Sequence, residues 1–371
     1  MNAHSSLYIG IMSGTSLDGI DIALVEITDN QTRLIASLET PFTPSLKQQL
    51  SSLITSKQCD LATIGDLSYQ LADEYANAVN YLLNEHKVTA SAVTAIGVHG
   101  QTVFHHPESQ YPHSLQLVNA SVLAVKTGIN CVHNFREMDI ALGGQGAPLV
   151  PLFHQSLRPQ LALELPEESL VFANIGGIAN LSICDKDNLL GFDSGPGNTL
   201  IDIIVQTRFE KEFDHNGALA RKGNVNSAFL EAMLTDPYFQ SEIPKSTGRE
   251  YFNLSWLASF EEYANINAYD ILATVTELTA ITMTQTLKAK SGLLILCGGG
   301  AKNAFLVERI KSYLPKWRVA SSDDFAISAD FMEAMAFAWM AYRTLNDLPS
   351  NAPSVTGAQK AAILGQITYA P

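Results

Sequence analysis

The turn "SGTSLDG", residues 13–19, combines groups that could hold a phosphate. Ser13, Thr15 and Ser16 offer hydroxyls, and the glycines of the turn allow backbone N–H groups to approach an anion closely. Asp18 would repel a bare phosphate, so its presence favours a phosphate that carries magnesium, held through water. The turn lacks the lysine of a Walker loop, and an ordinary polar hairpin turn explains it about equally well.

The segment "GFDSGPGNTLID", residues 191–202, carries a second set of chemical groups. A buried strand is predicted to end at Phe192 and to place Asp193 at its tip, where loops gather substrates. The glycines that follow offer a second anion-binding nest before a helix that begins near Asn198. Asp193 is therefore a candidate general base, and the alternative role for an aspartate ahead of a helix is an N-terminal cap.

Two further segments suit a nucleotide. In "LLILCGGGAKN", residues 293–303, three glycines after an apolar strand let a flat ligand or a ribose pack against the backbone, although glycine at a bend is the simpler explanation. The loop "PKSTGREYFN", residues 244–253, brings Lys245, Arg249 and two hydroxyl side chains together. Such a loop suits a phosphate or a ribose, and a solvated loop is an equal alternative.

The carboxylate of Glu333 lies in "ADFMEAMAFAWMAY", which is predicted to be a helix that is apolar all round. An acidic residue in the first helical turn is favoured by the helix dipole alone. Burial of a carboxylate among apolar neighbours is costly unless it has a partner, which favours a contact with a ligand hydroxyl.

Two polar loops complete the candidate site. "VHGQT" places His99 and Gln101 at a strand end, and "FREMDIALGGQGAP" supplies Arg136, Asp139 and Gln145. These groups suit a polyol that carries a carboxylate, although each of them alone is more often structural. Three other histidines are spaced too loosely to predict a metal site: His105, His106 and His113.

The elements that must position these groups follow a repeated pattern. Residues 7–27 are predicted to form two paired strands, and residues 44–87 are largely helical. The sequence of strand, glycine turn and strand then restarts at residue 169, which indicates an internal duplication. Later helices are predicted over residues 198–208, 226–234, 271–289 and 330–345, and an amphipathic helix is predicted to follow the glycine turn of "LLILCGGGAKNAFLVERIKSYL".

Composition sets the class of protein. The chain has 371 residues, of which 46% are hydrophobic and 16% charged, so it is globular and long enough for two domains. A net charge of −14 argues against nucleic acid as a partner. The four cysteines form no zinc or disulfide pattern, no signal peptide is visible, and no apolar run is long enough to span a membrane. We therefore expect a cytoplasmic protein.

The two glycine turns and the triple glycine together resemble the superfamily of sugar kinases, heat-shock chaperones and actin. Within it, the chain is similar from Ile9 to Leu364 to the anhydro-N-acetylmuramic acid kinases. The similarity rests on "GIMSGTSLDGID", "VHGQT", "GGQGAPLVP", "NIGGIANL", "DSGPGN", "PKSTGREYFN", "CGGGAKN", "EAMAFA" and "PSVTGA". Asn134 stands where this family pattern has Asp, and Ser194 stands where it has Thr.

The resemblance implies an α/β fold of two duplicated ribonuclease H-like domains with an ATP cleft between them. We expect one half over residues 1–130, with residues 352–371 packed on it, and the other half over residues 131–351. A homodimer is implied as well, and the glycine turns of the two halves would clasp the ATP phosphates without a Walker lysine.

The implied reaction opens 1,6-anhydro-N-acetylmuramic acid with water and phosphorylates O6 from ATP with Mg²⁺, in cell-wall recycling. Asp193 would activate the water, and Glu333 would position the sugar or help to orient that water. The implied sugar contacts are His99, Gln101, Arg136 and Asp139. The implied nucleotide contacts, with Asp18 on the magnesium side, are Gly14, Thr15, Ser16, Leu17, Asp18, Gly19, Ile20, Asp21, Gly195, Gly197, Asn198, Lys245, Gly298, Gly299, Gly300 and Asn303.

Two other functions are compatible with the same residue types. An ordinary hexose kinase would use Asp193 to deprotonate a sugar hydroxyl, but the zinc-binding cysteine cluster of one large group of such kinases is absent. A sensor would bind ATP and the cell-wall sugar without turnover, but Asp18 and Asp193 are both present.

Overall fold

The computed structural model describes residues 5–161, 169–185, 188–288, 290–325 and 327–371. Its strands are β1 (Ser6–Ser13), β2 (Ile20–Thr28), β3 (Gln31–Thr40), β4 (Val93–His106), β5 (His113–Leu117), β6 (Cys131–His133), β7 (Ser169–Ile175), β8 (Ile178–Asp185), β9 (Asn188–Pro196), β10 (Gly292–Cys297), β11 (Trp317–Ser321) and β12 (Gln366–Thr368).

The α-helices alternate with these strands along the chain. They are α1 (Pro44–Ser56), α2 (Leu61–Glu85), α3 (Ala120–Thr127), α4 (Arg136–Ala141), α5 (Val150–Ser156), α6 (Arg158–Leu161), α7 (Thr199–Phe209), α8 (Ser227–Leu234), α9 (Pro237–Gln240), α10 (Leu254–Ala258), α11 (Ala268–Thr284), α12 (Ala304–Tyr313), α13 (Met332–Leu345) and α14 (Pro353–Thr356). In the described part of the chain, no helix combines the length and apolar character that crossing a membrane requires.

The helix bounds agree with the sequence patterns in the middle of each helix and differ at some ends. The helix predicted from residue 271 begins earlier, at Ala268, because the side chain of Asn267 caps it by accepting a hydrogen bond from the backbone of Asp270. That helix ends at Thr284, and Ala289, its predicted end, lies outside the described residues. The final long helix begins at Met332, two residues after the predicted start.

The chain divides into two compact units. Unit 1 comprises residues 1–161 and 326–371, and unit 2 comprises residues 162–325. In unit 1 the sheet order is β12-β6-β4-β1-β2-β3, with β5 paired to β4. In unit 2 the order is β11-β10-β7-β8-β9.

The two sheets share one topology. In unit 1, β1, β2 and β3 form an antiparallel meander, and β4 and β6 add in parallel on the other side of β1. In unit 2, β7, β8 and β9 form the corresponding meander, and β10 and β11 add in parallel beside β7. Each unit thus opens with a hairpin whose turn contains glycine, and the α/β fold with a duplicated half is confirmed.

The division between the units differs from the bounds expected at residues 130 and 351. Helices α4 to α6 lie in unit 1, and so does the chain from residue 326 onwards. The reason is that α13 packs against the sheet of unit 1, and β12 pairs with β6 of that sheet. A hydrogen bond of 2.6 Å from the hydroxyl of Thr344 to the carbonyl of Leu364 fixes α13 to the final segment.

Helix α2 supports the start of the first glycine turn. Its buried residues Leu67, Leu71, Tyr75 and Val79 recur every four positions and pack into the core of unit 1. The phenol of Tyr75 lies 2.7 Å from the hydroxyl of Ser13, at the end of β1. Both side chains are buried, so this hydrogen bond fixes Ser13 from within the core.

Helix α13 lies directly on the sheet of unit 1 at two glycines. A Cβ atom built on Gly97 would lie 2.0 Å from the carbonyl oxygen of Phe337. On Gly10 it would be closer still to the carbonyl oxygen of Ala334. Only glycine permits this approach, and the approach sets the height of the whole helix above β1 and β4.

We predict that Gly97→Ala destabilises the protein by about 1 to 3 kcal/mol, because the added methyl group forces α13 away from the sheet. Gly65→Ala is the matched control, since its Cβ would meet nothing within 4 Å on an exposed face of α2. The control is expected to stabilise the helix by about 0.5 to 1 kcal/mol. Urea denaturation measures both, and equal stabilities for the two variants would contradict the close packing.

Candidate active site

The turn between β1 and β2 is anchored by a buried leucine. The side chain of Leu17 is only 4% exposed and belongs to the core of unit 1, although its φ angle of 57° is left-handed. Its backbone N–H donates to the carbonyl oxygen of Gly14 at 3.1 Å. The amide of Gln101, which is fully buried, donates to the same oxygen at 3.2 Å. The turn is therefore held in one conformation from its inner side.

The outer side of this turn offers hydrogen-bond donors. The side chains of Thr15, Ser16 and Asp18 are exposed. In the parts of the chain that the structure describes, no acceptor receives the backbone N–H of Thr15 or Ser16. Two free N–H groups and two hydroxyls on a fixed backbone fit the oxygen atoms of a phosphate.

Asp21 lies in a concentration of negative charge. Burial, and after it the carboxylates of Glu39, Glu333, Asp330 and Asp18, together raise the pKa of its carboxyl to about 7. A divalent cation with oxygen ligands would relieve this repulsion, so the donor set fits magnesium. Among the described residues, no three histidine, cysteine or acidic side chains converge to hold a metal alone. Magnesium that keeps its waters and binds phosphate needs only one or two carboxylates.

Arg136 is held rigidly by its neighbours. Its Nε and Nη2 atoms lie 3.0 and 2.8 Å from Nε2 of His99, and its Nη1 donates to the carbonyl of Gly146 at 2.7 Å. Burial lowers the pKa of His99 well below its usual range, and the charge of Arg136 lowers it further, so the ring is neutral and accepts at Nε2. Burial lowers the pKa of Arg136 to about 10, which still leaves it charged at neutral pH.

Glu333 stands beside Arg136 at the start of α13. Its side chain is exposed, whereas the apolar helix around it led us to expect burial. Desolvation by the surrounding protein raises the pKa of its carboxyl, and the positive charge of the Arg136 guanidinium acts in the opposite direction. An exposed carboxylate next to a fixed cation can accept a hydrogen bond from a ligand hydroxyl.

Asp139 does not reach the surface of the site. Its carboxylate is fully buried and accepts hydrogen bonds from the backbone N–H of Gly146 at 2.8 Å, from the amide of Asn351 at 2.8 Å and from the hydroxyl of Thr356 at 2.7 Å. The residue ties the glycine-rich loop after α4 to the final segment of the chain. It was expected to contact a sugar, and these three partners give it a structural role.

In unit 2, the carboxylate of Asp193 is oriented by the loop that follows α9. Its Oδ2 accepts the backbone N–H of Thr247 at 3.0 Å, and the hydroxyl of Ser246 also binds the carboxylate. The backbone of Asp193 donates to Lys245 at 2.9 Å and accepts from the phenol of Tyr238 at 2.8 Å. Burial raises the pKa of this carboxyl, which the two hydrogen bonds to the loop partly offset.

This arrangement excludes a capping role for Asp193. The strand does not end at Phe192: β9 continues through Asp193 to Pro196. The cap position of α7 is Asn198, and no side chain caps that helix. A carboxylate with a raised pKa, held by one backbone donor and one hydroxyl, is equipped to accept a proton.

The predicted anion nest before α7 is already filled by the protein. The backbone N–H of Gly197 donates to the carbonyl of Gly177 at 2.8 Å, and that of Asn198 donates to the carbonyl of Gly176 at 2.8 Å. The N–H of Thr199 also binds Gly177, at 3.0 Å. These groups lock two turns together and are not free for a phosphate. The N–H groups of Gly176 and Gly177 themselves find no acceptor among the described residues.

Two other predicted nucleotide contacts are engaged within unit 2. The ammonium of Lys245 donates to the carbonyl of Tyr238 at 2.7 Å and lies 4.6 Å from the centre of its ring. Gly195 is buried with a φ angle of 149°, and a Cβ atom there would lie 2.9 Å from Phe239. Both residues therefore support the backbone around Asp193.

The triple glycine after β10 presents one open position. Gly298 adopts a φ angle of 76° at the turn, Gly300 is buried, and Gly299 is exposed. Asn303 is buried and caps α12 by accepting the backbone N–H of Leu306 at 3.1 Å. A flat ligand could therefore approach the backbone at Gly299, while Asn303 holds the helix.

The comparisons with known proteins agree with these features. The sequence model of the family described as anhydro-N-acetylmuramic acid kinase matches residues 6–370. A curated relative of that name from Vibrio vulnificus (strain YJ016) is 45% identical over 364 residues, which cover 97% of this chain and 97% of the relative. Relatives of the same name from Pasteurella multocida (strain Pm70) and Vibrio parahaemolyticus serotype O3:K6 (strain RIMD 2210633) are 43% and 46% identical. These two alignments cover 99% and 97% of this chain, and 98% of each relative.

This chain belongs to the anhydro-N-acetylmuramic acid kinase family. The membership confirms the resemblance on which the expected residues were assigned. Asn134, where the family pattern was expected to have Asp, directly follows β6. Its φ angle of 57° lies in the left-handed region, where asparagine is among the side chains best tolerated.

Within each unit, the structure brings together part of the set expected for this family. Unit 1 assembles Arg136 with Glu333, braced by His99, and places Asp21 among carboxylates that include Asp18. Ile20 opens β2 as a buried core residue, and Gly19 lies against the carbonyl of Thr40 on β3, so neither offers a side chain to a ligand. Two further candidates for a nucleotide contact are the turn Gly176–Gly177 and Arg249. The sequence placed them in a glycine hairpin and in the loop of Lys245, but they were not among the individually expected contacts. The signal for the turn was available, because "NIGGIAN" repeats the strand-turn-strand pattern of the first hairpin.

The raised pKa of Asp21 predicts a pH-dependent stability. The native state keeps a proton on Asp21 that the unfolded chain releases near pH 4, so the free energy of unfolding falls as the pH rises towards 7. Asp21→Asn removes this loss, and its stability relative to the parent should increase by about 1 kcal/mol between about pH 5 and pH 8. Urea denaturation at both values measures the difference. Asp66→Asn, at an exposed position of α2, is the control, and a pH-independent difference for Asp21→Asn would contradict the charge cluster.

Proposed function

We propose that this chain is an ATP-dependent kinase that opens the anhydro bridge of 1,6-anhydro-N-acetylmuramic acid with water and phosphorylates O6. The products are N-acetylmuramic acid 6-phosphate and ADP, and the reaction belongs to peptidoglycan recycling in the cytoplasm. The observation that carries the proposal is the carboxylate of Asp193, which is held for proton transfer in a chain that matches this family over residues 6–370. The working form is proposed to be a homodimer.

The turn between β1 and β2 is proposed to bind the ATP phosphates. Thr15 and Ser16 donate N–H and hydroxyl groups from the fixed backbone described above. Asp18 is exposed on the same turn and would hold magnesium through its waters, with Asp21 as the nearby second carboxylate. When bound, magnesium neutralises the charge of the phosphates, and the residues of the turn position them.

Asp193 is proposed to accept a proton from water. The resulting hydroxide equivalent attacks C1 of the sugar, the bond from C1 to O6 breaks, and O6 receives the γ-phosphoryl group. The raised pKa of Asp193 supports this role, because a base whose pKa approaches neutrality is closer to the ideal for general catalysis. The loop holds this carboxylate through the backbone N–H of Thr247, which binds Oδ2, and through the hydroxyl of Ser246.

The sugar is proposed to lie against Arg136 and Glu333. Arg136 carries a positive charge suited to the lactyl carboxylate, and its contacts with His99 and Gly146 keep the guanidinium in place. Glu333 would accept a hydrogen bond from a sugar hydroxyl or orient the attacking water. In this proposal, His99, Gln101 and Asp139 act on the sugar indirectly, through Arg136, the first turn and the glycine-rich loop.

We predict that Asp193→Asn lowers turnover by about a hundred- to ten-thousandfold while ligand binding survives, because the amide keeps the shape but cannot take the proton. In ¹⁸O-water, mass spectrometry before anomeric exchange should locate the label at C1 of the parent enzyme's product. An ordinary hexose kinase would incorporate no solvent oxygen and would reject the bridged sugar. An active Asp193→Asn enzyme, or a product without label, would refute the mechanism.

We predict that Asp18→Asn lowers turnover by about a hundredfold or more across a magnesium titration, because the carboxylate holds the hydrated cation at the phosphates. Binding of the sugar alone should remain unchanged, as measured by calorimetry. Asp66→Asn removes an equal charge from the exposed face of α2 and should retain parental rates. Near-parental turnover of Asp18→Asn at every magnesium concentration would remove Asp18 from the metal site.

A further inference from the structure

Arg249 lies beside the turn Gly176–Gly177 and forms no hydrogen bond with a described residue. A Cβ atom built on Gly177 would lie 2.4 Å from Nε and 2.7 Å from Nη2 of Arg249, so the guanidinium rests directly on the backbone of the turn. Among the described residues, none forms a hydrogen bond or an ion pair with Arg249, and its side chain is exposed. The N–H groups of Gly176 and Gly177 at the same place also lack acceptors in the described chain.

Other cations of unit 2 are committed to protein partners. Arg309 forms two hydrogen bonds, of 2.6 and 2.7 Å, with the buried carboxylate of Glu277, and Arg221 pairs with Glu308 at 2.7 Å. Lys245, which lies in the same loop as Arg249, donates to the carbonyl of Tyr238. A free guanidinium next to two free N–H groups is the combination that recognises a phosphate through several donors at once.

Two acidic residues lie close to Arg249, one on α7 and one next to it in the loop. On α7, Asp202 is close enough to feel the guanidinium: burial raises the pKa of its carboxyl to about 6, and Arg249 acts in the opposite direction. No ion pair joins the two side chains. The neighbouring Glu250 points its carboxylate towards Gly248, within the loop. Arg249 thus lies near the carboxyl of Asp202 without an ion pair to it, and its own hydrogen-bond donors remain available.

The loop that carries Arg249 also holds the catalytic base. The backbone N–H of Thr247 binds the carboxylate of Asp193, and Arg249 follows only two residues later. Two residues span at most about 7 Å, so the backbone of Arg249 lies close to the part of the loop that binds Asp193. In the proposed reaction, the phosphate that must come near the reacting sugar is the one that is transferred.

We propose that Arg249, together with the N–H groups of Gly176 and Gly177, binds the γ-phosphate of ATP. This inference rests on the proposed kinase function and adds the cation that the sequence assigned to Lys245. Arg249 supplies the positive charge that a Walker lysine provides in other phosphate loops, while its loop holds Asp193 in position. ADP lacks the γ-phosphate, so Arg249 does not increase its binding affinity.

The test compares nucleotide binding by calorimetry in the full chain with magnesium. Arg249→Gln should weaken the binding of a non-hydrolysable ATP analogue by about ten- to a hundredfold, the range for a hydrogen bond to a charged group, and change ADP binding by less than about twofold. Arg249→Lys keeps the charge without the planar fork and should lose part of the preference for the ATP analogue. Arg221→Gln removes a surface-paired arginine of the same unit and should leave both affinities unchanged.

A second variant displaces the arginine without removing it. Gly177→Ala places a methyl group where the guanidinium lies, at a backbone position whose φ angle any residue adopts. It should reproduce part of the loss for the ATP analogue, and the double variant with Arg249→Gln should lose no more than Arg249→Gln alone. Additive losses would show that Gly177→Ala acts elsewhere and would count against the proposal.

The outcomes separate this inference from the kinase function. If the parent turns over and Arg249→Gln keeps the parental preference for the ATP analogue over ADP, the role of Arg249 is refuted and the kinase function stands. If the parent forms no product but its preference for the analogue depends on Arg249, the inference stands and the proposed function fails. Equal losses for both nucleotides would also refute a γ-phosphate contact, and a parent that binds neither nucleotide would overturn both.

Discussion

The backbone contact between α13 and the two glycines of the central strands determines the geometry of unit 1. At Gly10 and Gly97 no side chain separates the helix from β1 and β4, so the helix can occupy only one height above the sheet. That height places Glu333, in the first turn of α13, beside Arg136 and close enough to Asp21 to raise its pKa. Phe337 of the same helix packs against the ring of His99, with 4.8 Å between ring centres. The distances between the charged residues of the candidate site therefore depend on the uncharged backbone contact between α13 and the two glycines.

Around this contact, polar residues form a connected series of hydrogen bonds, in which each residue fixes the next. His99 and the carbonyl of Gly146 hold Arg136, and Asp139 holds Gly146 in turn, through its backbone N–H. Asp139 is itself fixed by Asn351 and Thr356. The same principle operates in unit 2, where the loop of Ser246 and Thr247 orients Asp193. A reactive group that is fixed in this way loses little conformational entropy when a substrate arrives.

The sequence was sufficient for the fold class and the duplication, because those depend on local patterns of strand, glycine turn and strand. It was insufficient where a partner distant in sequence decides the role. The N–H groups of Gly197 and Asn198 have the composition of an anion nest, yet carbonyls about twenty residues earlier in the chain occupy them. From the sequence alone, Lys245 and Arg249 are equivalent candidates for a phosphate contact. Only the position of Tyr238 shows that the lysine already donates a hydrogen bond to a carbonyl of the protein. The apolar surroundings of Glu333 predicted burial, but its place at the first turn of α13 exposes it.

Unit 1 is assembled from two segments that are separated by the whole of unit 2. A ribosome releases residues 1–161 first, and these contain the glycines that receive α13 but not the helix itself. Unit 2 is continuous, so it can complete its sheet while the first segment still exposes the apolar surface around Gly10 and Gly97. Only when residues 332–345 have emerged can that surface be covered, and β12 then closes the edge at β6. The order of synthesis therefore makes the acidic and arginine site of unit 1 the last part of the protein to form, and a chain interrupted near its end would carry a finished unit 2 beside an open first sheet.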